Sequence, residues 1–211
     1  MPKLKTYCIN LTAREDRRGQ MQTQFDKHDV LDAEFVEAVN GKALKEFPQG
    51  FGTANKFGCV LSHLKAIETA KYRGDSHALI VEDDVVFCDD LEKRLDKAFE
   101  QLPENWAMLY LGYFPQPTFV GEPEPYSESL VKLNGHLGAF SYIIRDSVYD
   151  TAIRELARYD HVADFKLAFI HKIYNCFSVD PFCVYVIDDY SDLSQGNVSY
   201  PQIKEKFKAK L

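Results

Sequence analysis

Nowhere in the 211 residues does an uninterrupted apolar run approach the ~20 needed to cross a bilayer, so no membrane-spanning helix is expected. The cysteines are few and scattered. Cys8, Cys59, Cys88, Cys176 and Cys183 are odd in number and contain no Cys-x-x-Cys pair, which reads as reduced, mostly buried thiols rather than a disulfide framework. Positive charge is also short: 25 Lys and Arg against 32 Asp and Glu leave a formal charge of −7, the wrong sign for a general nucleic-acid binder. The start, Met1-Pro2-Lys3-Leu4-Lys5-Thr6, lacks the apolar core of a secretory signal, and a cytoplasmic location is the expectation. No internal repeat or linker composition interrupts the chain. With 45% apolar and 27% charged residues, ordinary for a globular protein, one domain over residues 1–211 is expected, ending in a short basic stretch at 201–211.

What is present begins with His77-Ala78-Leu79-Ile80-Val81-Glu82-Asp83-Asp84-Val85-Val86-Phe87, an apolar strand that delivers three consecutive carboxylates and turns apolar again. Three dry adjacent acids repel strongly, so a solvated turn or a bound cation must offset them. In open α/β sheets ligands bind at the carboxyl ends of strands, where these acids fall. Hard cations such as Mn²⁺ or Mg²⁺ prefer such oxygens and leave positions for phosphate.

Around this run the periodicity alternates between strand and helix. Thr6–Leu11 reads as a strand, and Thr12-Ala13-Arg14-Glu15 has the form of a capping box opening a helix to about Lys27. A strand at Ala33–Val39, a loop over 41–53 and a helix from Asn55 to Arg73-Gly74 follow. Leu91–Leu102 is a helix closed by Pro103, Ala107–Leu111 a buried strand, and Phe114–Pro125 an irregular, proline-rich excursion. Gly138–Ile144 reads as a strand, Asp146 as the cap of a helix through Leu156, and Cys183–Ile187 as a last strand before a polar turn over 188–197. The alternation predicts a parallel sheet.

Other residue types suited to chemistry stand at fixed spacings. Arg14, Arg17 and Arg18 share a face in the first turns of the first helix, where cations oppose the helix dipole unless acids or a bound anion compensate. A helix N-terminus with guanidinium groups is a ready phosphate site. Cys59 and His63 lie one helical turn apart, a zinc or reactive-thiol spacing with no third partner visible in sequence, so a hydrogen-bonded histidine is the expectation. Asp164 reads locally as a helix cap, His136 as a loop histidine, and Asp188, Asp189 and Asp192 as turn formers or a late loop closing on a ligand.

Together these segments resemble glycosyltransferase family 25, which includes bacterial lipooligosaccharide enzymes and procollagen galactosyltransferases. The resemblance rests on Ile9-Asn10-Leu11 with Arg14 through Arg18, on Phe57-Gly58-Cys59-Val60-Leu61-Ser62-His63, and on Leu79-Ile80-Val81-Glu82-Asp83-Asp84. Tyr110-Leu111-Gly112, Gly138-Ala139-Phe140-Ser141-Tyr142, Asp164, Pro181 and Ser191-Asp192 follow in order. It implies a GT-A-like α/β fold with a mostly parallel sheet flanked by helices. It also implies an inverting transfer of a hexose, galactose foremost, from a UDP-sugar to a glycan or glycolipid acceptor of the lipopolysaccharide or lipooligosaccharide type. By the same carry-over, Glu82, Asp83 and Asp84 hold Mn²⁺ (or Mg²⁺), Asn10, Arg14, Arg17, Ser62 and His63 bind the donor, and Asp164 is the base. The alternatives are a collagen-type hydroxylysine galactosyltransferase and a GT-A-like protein that binds nucleotide-sugar without transfer. A metal-dependent phosphohydrolase would need further short His or Asp motifs, which the sequence lacks. The basic stretch with Lys204, Lys206, Lys208 and Lys210 reads first as a solvated tail, with a peripheral contact to an anionic membrane as the alternative.

Overall fold

A computed structural model describes residues 3–115 and 121–208. The first strand, β1 (Leu4–Asn10), runs into α1 (Glu15–Lys27) and then β2 (Leu31–Glu37). Two single 3₁₀ turns, Gly41–Ala43 and Gln49–Phe51, lead to α2 (Ala54–Arg73), followed by β3 (His77–Glu82), β4 (Val85–Phe87) and α3 (Leu91–Gln101). The second half holds β5 (Trp106–Tyr110), β6 (Glu124–Pro125), β7 (Leu130–Lys132), β8 (Ser141–Arg145), α4 (Asp146–Leu156), α5 (Ala163–Ile170) and β9 (Asn175–Val179). It closes with β10 (Val184–Val186), β11 (Asp189–Ser191), β12 (Gly196–Val198) and α6 (Pro201–Lys208).

Eight strands form one sheet in the order β2-β1-β3-β8-β5-β9-β7-β6. Following the pairings across it, β2, β1, β3, β5, β9 and β6 run one way and only β8 and β7 run against them. The sheet is therefore mostly parallel in direction, with helices flanking it. Its central strands read as continuous apolar runs because both faces are covered: Ala78, Leu79, Ile80 and Val81 are each 0% exposed, as are Met108, Leu109, Ile143 and Ile144. Helices α2, α4 and α5 pack on one another as one layer, with α2 also lying against β1, β2 and β3. Two small ribbons, β4 with β10 and β11 with β12, stand outside the main sheet.

Local chemistry explains the elements. Thr53 accepts from Lys56 N to start α2, and Gly74, at φ 74°, ends it in the left-handed conformation. Gly58 lets α2 approach the chain beyond β2, since a Cβ there would lie 2.6 Å from Val39 O and 2.9 Å from Gly41 N.

Several expectations are corrected. The capping box does not form, because Thr12 Oγ1 donates to Glu37 Oε1 at 2.9 Å across the β1–β2 edge and α1 opens at Glu15 without a side-chain cap. The Gly138–Ile144 segment enters the sheet only at Ser141: Gly138, at φ 150°, packs against Tyr113, where a Cβ would be 2.8 Å from Tyr113 Cα. Strands β7, only three residues long, and β9 fall where no strand was expected. In the proline-rich excursion, 116–120 lie outside the described residues, and Glu124–Pro125 pairs with β7. The basic C-terminal stretch is a packed helix rather than a solvated tail. Ile203 is 1% exposed, Phe207 stacks edge-on to Tyr185 at 4.9 Å, and Lys204 pairs with Asp188 at 2.5 Å. Lys210 lies outside the described residues.

Two glycine substitutions should have opposite signs. Gly19→Ala in α1, with nothing within 4 Å of the added Cβ, should stabilise by about 0.5–1 kcal/mol. Gly58→Ala in α2 should destabilise by about 1–3 kcal/mol, the backbone clash exceeding the helix-propensity gain. Urea midpoints at constant m-value check both, and a stabilised Gly58→Ala would contradict the close approach of α2.

Candidate functional site

The parallel register pairs Ile9 of β1 with Glu82 of β3, so the two strands end side by side. Asn10 leaves β1 beside the acids that leave β3, and its Nδ2 donates to Asp83 Oδ2 at 2.7 Å and to Arg14 O at 3.2 Å. The turn from β1 into α1 brings up Arg17, which is 6% exposed. Its Nη1 donates to Asp83 Oδ1 at 2.9 Å and to Asp84 Oδ2 at 3.3 Å, and its Nη2 donates to Tyr190 O at 2.8 Å. One buried guanidinium thus answers two of the three carboxylates.

Both carboxylate oxygens of Asp83 are engaged, one by Asn10 and one by Arg17. Asp84 differs. Its Oδ2 meets Arg17, but its Oδ1 is buried with no hydrogen-bond partner among the described residues, as is Asn10 Oδ1 on the neighbouring strand. Burial first, and the Glu82 charge second, push the Asp84 carboxyl up to about 7. Orphaned buried oxygen acceptors at the carboxyl edge of the sheet fit a hard divalent cation, which takes oxygen ligands. Glu82 lies on the side of α2, with Oε1 3.1 Å from His63 Nε2. The three acids therefore do not converge as one cage. Asp84 and Glu82 are the candidates to hold Mn²⁺ or Mg²⁺, and Asp83 orients the arginine.

Arg14 faces the β11–β12 ribbon. Its Nη1 donates to Asp192 Oδ2 at 2.6 Å, Nη2 reaches Asp189 Oδ2 at 3.4 Å, and Nε and Nη2 clasp Asp16 at 3.0 and 2.9 Å. Asn55 Nδ2, at the start of α2, donates to Asp192 O at 2.8 Å and ties down the same ribbon. The late acidic loop is thus seated on the two arginines, its carboxylates and a carbonyl taking up their donors. Arg18 leaves this group and stacks over Phe35 at 4.0 Å.

Of the other expected residues, His63 is completely buried, with Nδ1 3.1 Å from Tyr142 Oη and Nε2 at Glu82. Ser62 is not brought to the site: its hydroxyl donates to Gly58 O at 2.7 Å and accepts from Val39 N at 2.8 Å, which locks α2 to the chain after β2. Asp164 is not a cap either. Val162 is the N-cap of α5, while Asp164 Oδ1 accepts from Gly138 N at 2.9 Å and Ala139 N at 2.8 Å. Burial holds its carboxyl above the usual aspartate range despite those donors, and the Glu82 charge adds to the shift. His136 is structural, 2% exposed and edge-on to Tyr113 at 5.2 Å.

Sequence reasoning missed Asn55, Tyr142 and Tyr200. The Tyr200 phenol is pushed up by burial and then by Asp84, Glu82 and Asp164, so it shares the field of all three acids. No motif announces it, because it arrives from the far end of the chain.

The model of glycosyltransferase family 25 (LPS biosynthesis protein) matches residues 3–164, which takes in Asn10, both arginines, the α2 face, the acidic turn and Asp164. The chain belongs to glycosyltransferase family 25. It is 29% identical over 162 residues to the procollagen galactosyltransferase 2 of Homo sapiens, covering 65% of this chain and 25% of that protein. It is 27% identical over 128 residues to the inactive glycosyltransferase 25 family member 3 of Mus musculus, covering 51% and 22%. The chain thus spans about a quarter of the length of these two relatives. Among solved structures, A197 from STIV superposes with a TM-score of 0.54 at 12% identity, covering 93% of each chain, a likeness of fold.

The raised Asp84 carboxyl has a stability consequence. Between pH 3.8 and about 7 the folded chain binds more protons than the unfolded one, so this group's contribution to stability falls as pH rises through that window. In chelator, Asp84→Asn should flatten that slope and raise the unfolding free energy at about pH 8, read from urea titrations, by on the order of 1–3 kcal/mol. An unchanged pH slope in the variant would contradict the buried, raised carboxyl.

Proposed function

We propose that this family 25 chain transfers a hexose, galactose foremost, from a UDP-sugar to a hydroxyl of a glycan or glycolipid acceptor, with inversion. The observation that carries the reading is the juxtaposition, at the carboxyl edge of β1 and β3, of the orphaned Asp84 oxygen with the arginine pair. That combination suits a cation and a diphosphate together. Family membership supplies the reaction class, and the family description favours a lipopolysaccharide-type acceptor. A second reading, a collagen-type acceptor, is favoured by the name of the human relative.

In this reading Asp84 and Glu82 would hold Mn²⁺ or Mg²⁺, which supplies Lewis-acid neutralisation of charge on the departing diphosphate. Arg17 fixes the acids and keeps Asp84 turned to the edge. Arg14 exchanges Asp192 and Asp189 for donor phosphate oxygens, so donor binding displaces the β11–β12 ribbon from the guanidinium. Asp164 takes the acceptor proton. Burial has already raised its proton affinity, and two backbone amides fix one oxygen so that the carboxylate keeps its orientation through the transfer.

Calorimetric titration of UDP and a panel of UDP-sugars, with Mn²⁺ and with chelator, followed by transfer assays, tests the proposal. Binding should require the metal and be lost in Asp84→Asn. Asp164→Asn should keep donor binding and lose transfer by about 10²–10⁴-fold. Metal-dependent binding with no transfer or donor hydrolysis would point instead to a non-catalytic member, as the mouse relative's name describes for that protein. Absence of any uridine-nucleotide binding would overturn the reading.

A further inference from the structure

We propose that Cys59, His63 and Glu82 form a binding site for a zinc-class cation, centred on α2 and sharing Glu82 with the oxygen-lined position at Asp84. Cys59 and His63 are one turn apart on α2 and so share a face, and β3 ends with Glu82 against that face. Glu82 Oε1 lies 3.1 Å from His63 Nε2 and 4.0 Å from Cys59 Sγ. The three donor atoms all fall within 4.8 Å of one another. Zinc bonds of ~2.0–2.3 Å set tetrahedral ligand-to-ligand edges of about 3.3–3.8 Å, so small side-chain adjustments complete the site.

The surroundings suit a metal ligand as well. His63 Nδ1 is 3.1 Å from the fully buried Tyr142 Oη, and a proton on Nδ1 donated to that phenol leaves the Nε2 lone pair pointing at Glu82 and Cys59. The Tyr142 ring, stacked on the imidazole at 5.9 Å and 28°, fixes its plane. Glu82 is 33% exposed at its side chain, which provides an entry path, whereas His63 is 1% exposed. A thiolate, an imidazole and one carboxylate select zinc over Mn²⁺ or Mg²⁺. Three protein ligands leave the fourth position open to water or ligand, unlike a closed structural zinc. Binding forms a sulfur–zinc bond as the Cys59 thiol gives its proton to solvent. It also draws the Glu82 carboxylate toward α2, so zinc and the hard cation compete for one carboxylate. The site rests on these three side chains and stands whether or not the transferase reading holds.

The test is Co²⁺ substitution of the full chain under reducing conditions, with zinc titrated against a chromophoric chelator. One equivalent of Co²⁺ should give tetrahedral visible bands and a near-ultraviolet thiolate-to-cobalt charge-transfer band, displaced by zinc. Cys59→Ser should lose the charge-transfer band, and His63→Gln should weaken zinc binding by about ten- to a hundred-fold. Asp84→Asn should keep the cobalt spectrum while losing Mn²⁺ binding, which separates failure of this site from failure of the donor site. If a variant does not fold, zinc protection of Cys59 from alkylation in the unaltered chain, read by peptide mass, replaces it. No charge-transfer band, a band that survives in Cys59→Ser, or Cys59 labelling unchanged by zinc would overturn the proposal.

Discussion

The buried ion pairing of Arg17 is the interaction on which the edge of the sheet depends. Strand β3 delivers Glu82, Asp83 and Asp84 in succession, and without an internal cation their mutual repulsion and desolvation would oppose the turn itself. Arg17 reaches both aspartates from the first turns of α1 and is held from behind by Tyr190 O. The arrangement requires β1 and β3 to be parallel neighbours in register, because only then does the β1–α1 turn place the guanidinium over the end of β3. A core of fully buried central strands guarantees that register, since a slip of one residue would exchange the faces of every side chain.

That one cation does not neutralise the whole site. Asp84 keeps a buried oxygen without a partner among the described residues, and burial raises its carboxyl to about 7. Arg14, meanwhile, is saturated by Asp16, Asp189 and Asp192, two of which belong to a small ribbon outside the main sheet. The edge is thus short of positive charge at Asp84 and offers replaceable negative charge at Arg14. A cation carrying a diphosphate answers both at once, which links the electrostatics of the unliganded chain to the proposed chemistry.

Much of this was legible in the sequence, and the rest was hidden for physical reasons. An apolar run ending in three acids, followed by a return to apolar residues, announced the end of a buried strand, and the spacing of Arg14 and Arg17 announced cations on one helical face. Which acid faces which partner was not legible, because that depends on backbone turns beyond β3 rather than on residue type. Asp83 is spent on Asn10 and Arg17, and Glu82 turns to His63. Ser62 looked like a ligand-binding hydroxyl, but a serine inside a helix finds the preceding turn's carbonyl and a passing amide within reach. Antiparallel β7 was concealed by its three-residue length, and the strand at β8 begins later than its apolar run because Gly138 takes a positive φ. The acids of the β11–β12 ribbon were visible as a late loop, but their arginine partners and the arrival of Tyr200 come only through tertiary folding.

The most direct measurement is anomalous diffraction at the manganese edge from crystals grown with UDP and Mn²⁺. The account predicts one strong peak within bonding distance of Asp84, with the diphosphate between it and Arg14 and the β11–β12 ribbon displaced from that arginine. UDP bound at the sheet edge with no peak at Asp84, or a peak and nucleotide elsewhere on the molecule, would contradict it.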